Sequence, residues 1–160
     1  MSDRNLDLAQ KIIDLALSLG ADSADAVVGE SASLNVSCRL GQLEDTERAE
    51  SRELGLRAII GQQQAFVSGT AVDAEALQRL AERAVEMAKA TPADRYCGLA
   101  PAERLASKLP SLDLADDHEP SAAELQTMAQ ETEDTARAMA GITNSEGCLL
   151  YTSDAADERL

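Results

Sequence analysis

The densest group of side chains that could do chemistry is a run of four metal-binding residue types. They are Asp116, Asp117, His118 and Glu119. A His-Glu pair also begins the zinc-binding motif of many metalloproteases, where a second histidine follows about one helical turn later on the same face. Here Ala122 and Ala123 occupy those positions, and Pro120 would interrupt such a helix at its start. We therefore interpret the run as a solvated acidic loop and predict no metal site in it.

A second group of charged residues lies in a segment with the alternation of a strand. Its members are Glu44, Asp45, Glu47, Glu50 and Glu53, interleaved with Arg48 and Arg52. Paired carboxylates can perform acid/base catalysis, so this function is one alternative. The other alternative is a charged strand edge that discourages aggregation between sheets, and the sequence favours it because the segment reads as an exposed hairpin.

The remaining candidates for chemistry are glycines and cysteines. Gly41, Gly55, Gly61 and Gly69 form neither GxxxxGK[ST] nor GxGxxG, which indicates turns and bulges in place of a phosphate-binding loop. We expect no serine or cysteine to be activated by the single histidine, because His118 lies in the segment interpreted below as a linker. The three cysteines, which are Cys38, Cys97 and Cys148, share no CxxC spacing, and we interpret the first two as reduced. We assign no catalytic, cofactor-binding or metal-binding residue.

Composition excludes several classes of partner. With 29 acidic and 14 basic residues, the chain of 160 residues carries a formal charge of −15. Direct nucleic-acid binding is not expected, because its affinity comes from cationic side chains that displace counterions from phosphates. The N-terminus has alternating charges where a signal peptide needs an apolar stretch, and no apolar run is long enough to span a bilayer. We expect a cytoplasmic protein without a membrane partner.

The hydrophobic periodicity predicts an α+β fold with helices on one face of an antiparallel β-meander of about four to five strands. The elements are a helix over residues 4–19, strand segments over 24–31, 33–40, 43–50, 53–61 and 63–71, and a helix that Asp73 caps and Thr91-Pro92 ends. These elements make up a first domain over residues 1–91. Its core must be aliphatic, because the chain has one Phe, two Tyr and no Trp.

All four prolines lie in residues 92–120, which we interpret as a linker between domains. Ser121 and Glu124 then form a capping box that opens a third helix. The expected apolar face of this helix consists of Leu125, Met128, Ala129, Thr132, Ala136 and Met139. We predict that residues 121–147 begin a truncated second domain and that the helix, without the sheet it would pack on, docks poorly on the first domain.

An ordered series of short motifs resembles the N-terminal domain of the TldD/PmbA family, long labelled modulators of DNA gyrase. The series includes RLGQLE at 39–44, GLR at 55–57 and ATPADRYCGLA at 90–100, and the resemblance covers residues 5–147. Single motifs of this kind are weak, but their order is specific. The segments SLDLADDHEPSAAEL and GITNSEG are similar to the PmbA (TldE) branch.

The resemblance implies a subunit of a two-subunit metalloprotease that cleaves unfolded or leader peptides. In this family the TldD subunit holds a zinc-type metal on a His-Glu-x-x-x-His helix, and PmbA pairs with it as a heterodimer. No residue of this chain matches that motif, so the metal is expected on the TldD-type partner. The segment would be non-catalytic and would form interface and substrate-chamber structure. The alternatives are a stand-alone protein-interaction module and the N-terminus of the metal-bearing subunit itself.

The last residues do not follow the alternation of helix and strand signals in the rest of the chain. The string CLLYTSDAADE at 148–158 is the translation expected from a transposon end and adapter used in tagmentation libraries, and a GGC codon for Gly147 would agree. We therefore predict that residues 148–160 are a non-native tail and that the native sequence continues differently after Gly147.

Overall fold

The computed structural model describes residues 3–108, 116 and 118–159. The helices are α1 (Asp3–Ser18), α2 (Ala74–Ala90) and α3 (Ala122–Arg137), with a short 3-10 turn at Ala102–Arg104. The strands are β1 (Ser23–Arg39), β2 (Gln42–Ile60), β3 (Gln63–Gly69) and β4 (Glu146–Arg159), in the sheet order β3-β2-β1-β4. The predicted α+β class, with an antiparallel sheet, is confirmed, and the sheet has four described strands.

The chain divides into two compact units. The first comprises Met1–Glu30, Ser51–Leu109 and Ala155–Leu160, and the second comprises Ser31–Glu50 and Pro110–Asp154. Both long strands, β1 and β2, therefore contribute one segment to each unit. The domain boundaries expected from sequence place residues 31–50 with the first helix, so the two divisions differ in this segment.

The first unit has a core of aliphatic side chains from α1, α2 and the strands. Its buried members are Ala9, Ile12, Ile13, Ala16, Ala21, Ala24, Ala26, Val28, Leu54, Leu56, Ala58, Val67, Leu77, Ala81, Ala84 and Val85. Alternate positions of β1 and β2 are buried, because successive side chains of a strand point to opposite faces. Many core members are alanines, which allow helix and sheet backbones to approach closely in the absence of large aromatic side chains.

Two features of the first unit show why particular residues are needed. Asp73 caps α2 by accepting a hydrogen bond from the backbone N–H of Ala76 at 3.0 Å, as the sequence predicts. On β2, a Cβ added to Gly55 would lie 2.8 Å from the ring of Phe66 on β3. Gly55 therefore lies inside a strand and makes room for an aromatic ring, and its predicted role in a turn or bulge is wrong.

The segments predicted as separate strands join into two long ones. β1 continues through residues 30–33 and β2 through residues 50–53 without a break. Neither junction contains Gly, Pro, Asn or Asp, so the strongest turn-forming residues are absent from both. β3 pairs antiparallel with β2 only from Leu54 to Ile60.

The second unit has its own small core, in which α3 packs against β1 and β4. The buried residues are Leu34, Val36, Cys38, Leu125 and Ala129, with Leu149 and Tyr151 partly buried against them. The prediction that α3 lacks a sheet to pack on is wrong, because the distal part of β1 and β4 supply one. Residue pairs Arg39–Glu146 and Asn35–Cys148 show that β1 and β4 run antiparallel, since the numbers fall on one strand as they rise on the other.

The buried face of α3 is narrower than predicted and includes an acidic residue. Leu125, Ala129 and Glu133 are buried, at a spacing of four residues, and the capping box of Ser121 and Glu124 is present. Met128 and Met139 are exposed at 49% and 67%, so their predicted place on the apolar face is wrong. The hydrophobic pattern favoured the methionines, whereas the hydrogen bonds of Glu133 decide which face is buried.

The cap of α2 makes a testable contribution to acid stability. The N–H of Ala76, followed by other charges and amides, lowers the pKa of Asp73 below its usual value of 3.8. A carboxyl group whose pKa is lower in the folded state stabilises the fold above the unfolded-state pKa and loses that contribution as the pH falls. We expect Asp73→Asn, which keeps the cap, to flatten the loss of stability below about pH 4 in urea titrations. An unchanged pH profile would contradict the role of the carboxylate.

Candidate functional site

The turn between β1 and β2 is the most tightly held surface feature of the second unit. Leu40 and Gly41 both have positive φ, 52° and 76°, and form a two-residue turn of the kind that suits the twist of a hairpin. Leu40 is therefore a turn residue with 52% of its surface exposed. Leu34, Val36 and Cys38, at alternate positions before it in β1, are buried. A non-glycine residue in this conformation needs compensation from its surroundings.

The side chain of Glu133 on α3 supplies that compensation. Its carboxylate accepts hydrogen bonds from the backbone N–H groups of Leu40 and, at 2.7 Å, of Gly41. The residue is only 1% exposed, and bonds from amides to a buried carboxylate are among the stronger protein hydrogen bonds. The helix thus clamps the hairpin turn through one side chain.

Neighbouring groups complete the surroundings of this carboxylate. The guanidinium of Arg137, one helical turn further on, lies 3.8 Å from Oε1, and the hydroxyl of Ser145 lies 3.5 Å from it. β4 passes very close to the helix, because a Cβ added to Gly147 would lie 2.0 Å from the carbonyl oxygen of Ala129. Only glycine fits at that crossing, so the last residue before the predicted non-native tail is fixed by packing.

Cys38 lies in β1, two residues before the turn, and its thiol is unreactive. It is fully buried, and burial, followed by the nearby charge of Glu133, raises the pKa of its thiol. Since the thiolate is the nucleophilic form, a raised pKa makes this cysteine unreactive. Cys97 is partly exposed, and Cys148 is exposed with its Sγ 3.1 Å from the side-chain oxygen of Asn35.

The acidic segment of β2 lies on the surface of the second unit. Every residue from 42 to 50 is exposed. Arg48 pairs with Glu50 at 2.9 Å and with Glu119 at 3.3 Å, and these two carboxylates raise its pKa. Arg39 joins Glu44 to Glu146 in the same way, at 3.3 and 2.7 Å. The arrangement is a solvated network of charges in which each of the two arginines bridges two carboxylates.

The acidic run before α3 is likewise dispersed. Asp116 accepts a hydrogen bond from the backbone N–H of His118, and Glu119 is turned toward Arg48. Asp117 lies outside the described residues. Within residues 3–108, 116 and 118–159, no group of three or more His, Cys, Asp or Glu side chains could hold a metal ion. None of the described helices is long and apolar enough to cross a bilayer.

Sequence reasoning missed Glu133, the residue on which the site depends. The available signal was an acidic residue at the next position of the stripe formed by Leu125 and Ala129. A carboxylate at such a place requires donors, and the hairpin turn offers two backbone N–H groups. The capping box of Ser121 and Glu124 was correctly predicted, because it follows from local hydrogen bonding.

Comparison with known proteins identifies the fold and the family. The profile described as "PmbA/TldA metallopeptidase domain 1" matches residues 24–88, which run from β1 into α2. Metalloprotease PmbA of Escherichia coli O157:H7 is 30% identical over 144 residues, covering 88% of this chain and 32% of the relative. Residues 24–88 belong to the PmbA/TldD family as its first domain.

Other PmbA/TldD relatives agree. A metalloprotease PmbA homolog of Haemophilus influenzae is 33% identical over 138 residues, covering 84% of this chain and 30% of the relative. A solved structure from Bacteroides thetaiotaomicron, described as a modulator of DNA gyrase, superposes with a TM-score of 0.78 at 16% identity, covering 98% of this chain and 39% of that one. TldE of Thermococcus kodakarensis gives a TM-score of 0.61 at 14% identity, covering 94% and 34%.

The PmbA/TldD match spans about a third of the length of the curated relatives, at 32% and 30%. The profile covers residues 24–88, which include the turn that Glu133 clamps, whereas Glu133 itself lies beyond that range. The fold similarity to the structure from Bacteroides thetaiotaomicron extends over 98% of this chain.

The clamp predicts a specific loss of stability. We expect Glu133→Ala to cost about 2–3 kcal/mol, because two charge-assisted hydrogen bonds to the turn are lost. Glu131→Ala, on the exposed face of the same helix, is the matched control and should change stability by less than about 0.5 kcal/mol. Urea unfolding and amide exchange of Leu40 and Gly41 would measure both. Equal effects of the two variants would show that Glu133 does not hold the turn.

Proposed function

We propose that this chain is the N-terminal part of a PmbA/TldE-type subunit of a TldD–TldE metalloprotease complex. The observation that carries the proposal is similarity along 88% of the chain to metalloprotease PmbA. The family resemblance supplies the rest of the proposal: a TldD-type partner in a heterodimer, a zinc-type metal on that partner, and unfolded or leader peptides as substrates. The setting is cytoplasmic, with no role for nucleic acid or membrane.

In this proposal the described residues have a structural role and no catalytic role. Their ionisable side chains are spread over the surface or, like Glu133, engaged in structural hydrogen bonds. A rigid sheet with clamped turns is suited to form an interface or a wall of a chamber, because its backbone is fixed before any partner binds. Metal-dependent hydrolysis would belong to residues outside this segment.

A domain-exchange experiment distinguishes the proposed function from the two alternatives, which are a stand-alone interaction module and the N-terminus of the metal-bearing subunit. Residues 5–147 would replace the corresponding first domain of full-length PmbA from the E. coli relative, and the chimera would be mixed with its TldD-type subunit. We expect assembly and cleavage of an unfolded peptide by the mixture, and neither stoichiometric zinc nor peptidase activity in the chain alone. A stand-alone interaction module would give a folded chimera that does not assemble. Peptidase activity or bound zinc in the chain alone would contradict the non-catalytic role.

We further propose that residues 148–160 are not native. The structure accommodates the tail as part of β4, where Leu149 and Tyr151 are partly buried while the neighbouring Leu150 is 63% exposed. Such alternation is enough to pair with β1, so a foreign segment can occupy the position of a native strand.

Sequencing of the source locus through codon 147 tests this proposal. We expect the reading frame to continue for a few hundred codons with a different sequence after Gly147. A His-Glu-x-x-x-His helix in that extension would assign the metal to this chain, which is the third alternative, and its absence would assign the metal to the partner. A genomic frame that encodes CLLYTSDAADERL would show the tail to be native.

A further inference from the structure

The segment of β2 over residues 42–50, called here the acidic edge, has an open side. β2 lies between β3 and β1 in the sheet, but β3 pairs with β2 only from Leu54 onward. No other described strand lies beyond β2, so the side of the acidic edge that faces away from β1 is uncovered by strand pairing among the described residues. All nine side chains are exposed. At about 3.3 Å per residue the edge is roughly 30 Å long, enough for a strand of ordinary length.

The geometry of the turn shows which backbone groups point outward. The residues that flank a two-residue hairpin turn exchange two hydrogen bonds, so Arg39 and Gln42 form such a pair across Leu40 and Gly41. Backbone groups alternate in direction along a strand. The N–H and C=O groups of Leu43 and Asp45 therefore point away from β1, whereas those of Glu44 and Thr46 point toward it. Open groups of this kind are a template for an added strand.

The charges decide which strand could be added. The acidic edge contains four carboxylates and one guanidinium, and it lacks the Pro, Lys or short length that usually protects an edge. Arg48 is engaged by Glu50 and Glu119, and Glu44 by Arg39, whereas Asp45 and Glu47 have no ion pair within the described part of the chain. A second copy of this edge would bring like charges together, and like charges on facing strands are unfavourable. A basic strand would be attracted.

We propose that the acidic edge binds an extended, positively charged segment of a separate polypeptide by adding it to the sheet as a strand beside β2. Backbone hydrogen bonds to Leu43 and Asp45 hold the segment, and Asp45 and Glu47 select for its lysine or arginine side chains. The charge of the edge thus acts as a filter that rejects copies of the same chain and admits a basic partner. This inference goes beyond the proposed function and does not depend on any peptidase activity.

The test uses the whole chain and a synthetic peptide of about ten residues that alternates lysine and threonine, a length matched to the edge. Binding is measured at low ionic strength, together with hydrogen exchange of individual amides. We expect saturable binding and slowing of exchange at Leu43 and Asp45 by roughly tenfold or more, with little change at Glu44 and Thr46, which β1 already protects. A glutamate–threonine peptide of the same length should not bind.

Two controls separate strand addition from charge attraction alone. A lysine–threonine peptide methylated at alternate backbone nitrogens keeps its charge but cannot pair, and it should not bind. Glu47→Lys should weaken binding of the unmodified peptide roughly fivefold to tenfold. Glu131→Lys, on the exposed face of α3, changes the net charge equally and should have little effect. Equal binding of the methylated peptide, equal effects of the two variants, or no binding at all would overturn the proposal.

Discussion

The length of the β1–β2 hairpin is the constraint on which the rest of the structure depends. Strands of 17 and 19 residues are much longer than usual, so one small core cannot cover either of them along its whole length. An isolated two-stranded hairpin is marginally stable in water. Each half of the hairpin therefore needs its own apolar cover. α1 and α2 supply it in the first unit, and α3 with β4 supplies it in the second.

The two cores meet this need by different means. Among the described residues, the first core has sixteen buried apolar members, so burial alone can account for much of its stability. The second has five such members among the described residues, and it adds a carboxylate that satisfies two backbone N–H groups of the hairpin turn. Where apolar area is small, a directional interaction of this kind also constrains the position of the helix on the hairpin, because two neighbouring N–H groups must meet one carboxylate.

The starts of two helices, one in each unit, could be predicted from sequence because they depend on local rules. The cap of α2 at Asp73 and the capping box of α3 at Ser121 follow from residue spacing and from the donors that a helix start leaves unpaired. The face of α3 could not be predicted in this way. Its orientation depends on Glu133 and a turn 92 residues away in sequence, and hydropathy alone favours the exposed methionines. The continuity of β1 and β2 was also missed, because the absence of a turn signal is weaker evidence for a continuous strand than its presence is for a break.

The acidic edge shows how one feature can serve stability and recognition together. Interpreted from sequence, its charges discourage aggregation, and the exposed, unpaired position of the segment supports that interpretation. Charge repulsion, however, protects an edge only against strands of the same sign. Proline or a bulge would close the edge to every partner, whereas four carboxylates close it to copies of the same chain and leave its backbone groups available. The choice of charge as the protecting device therefore implies selectivity, which an edge protected by backbone geometry cannot provide.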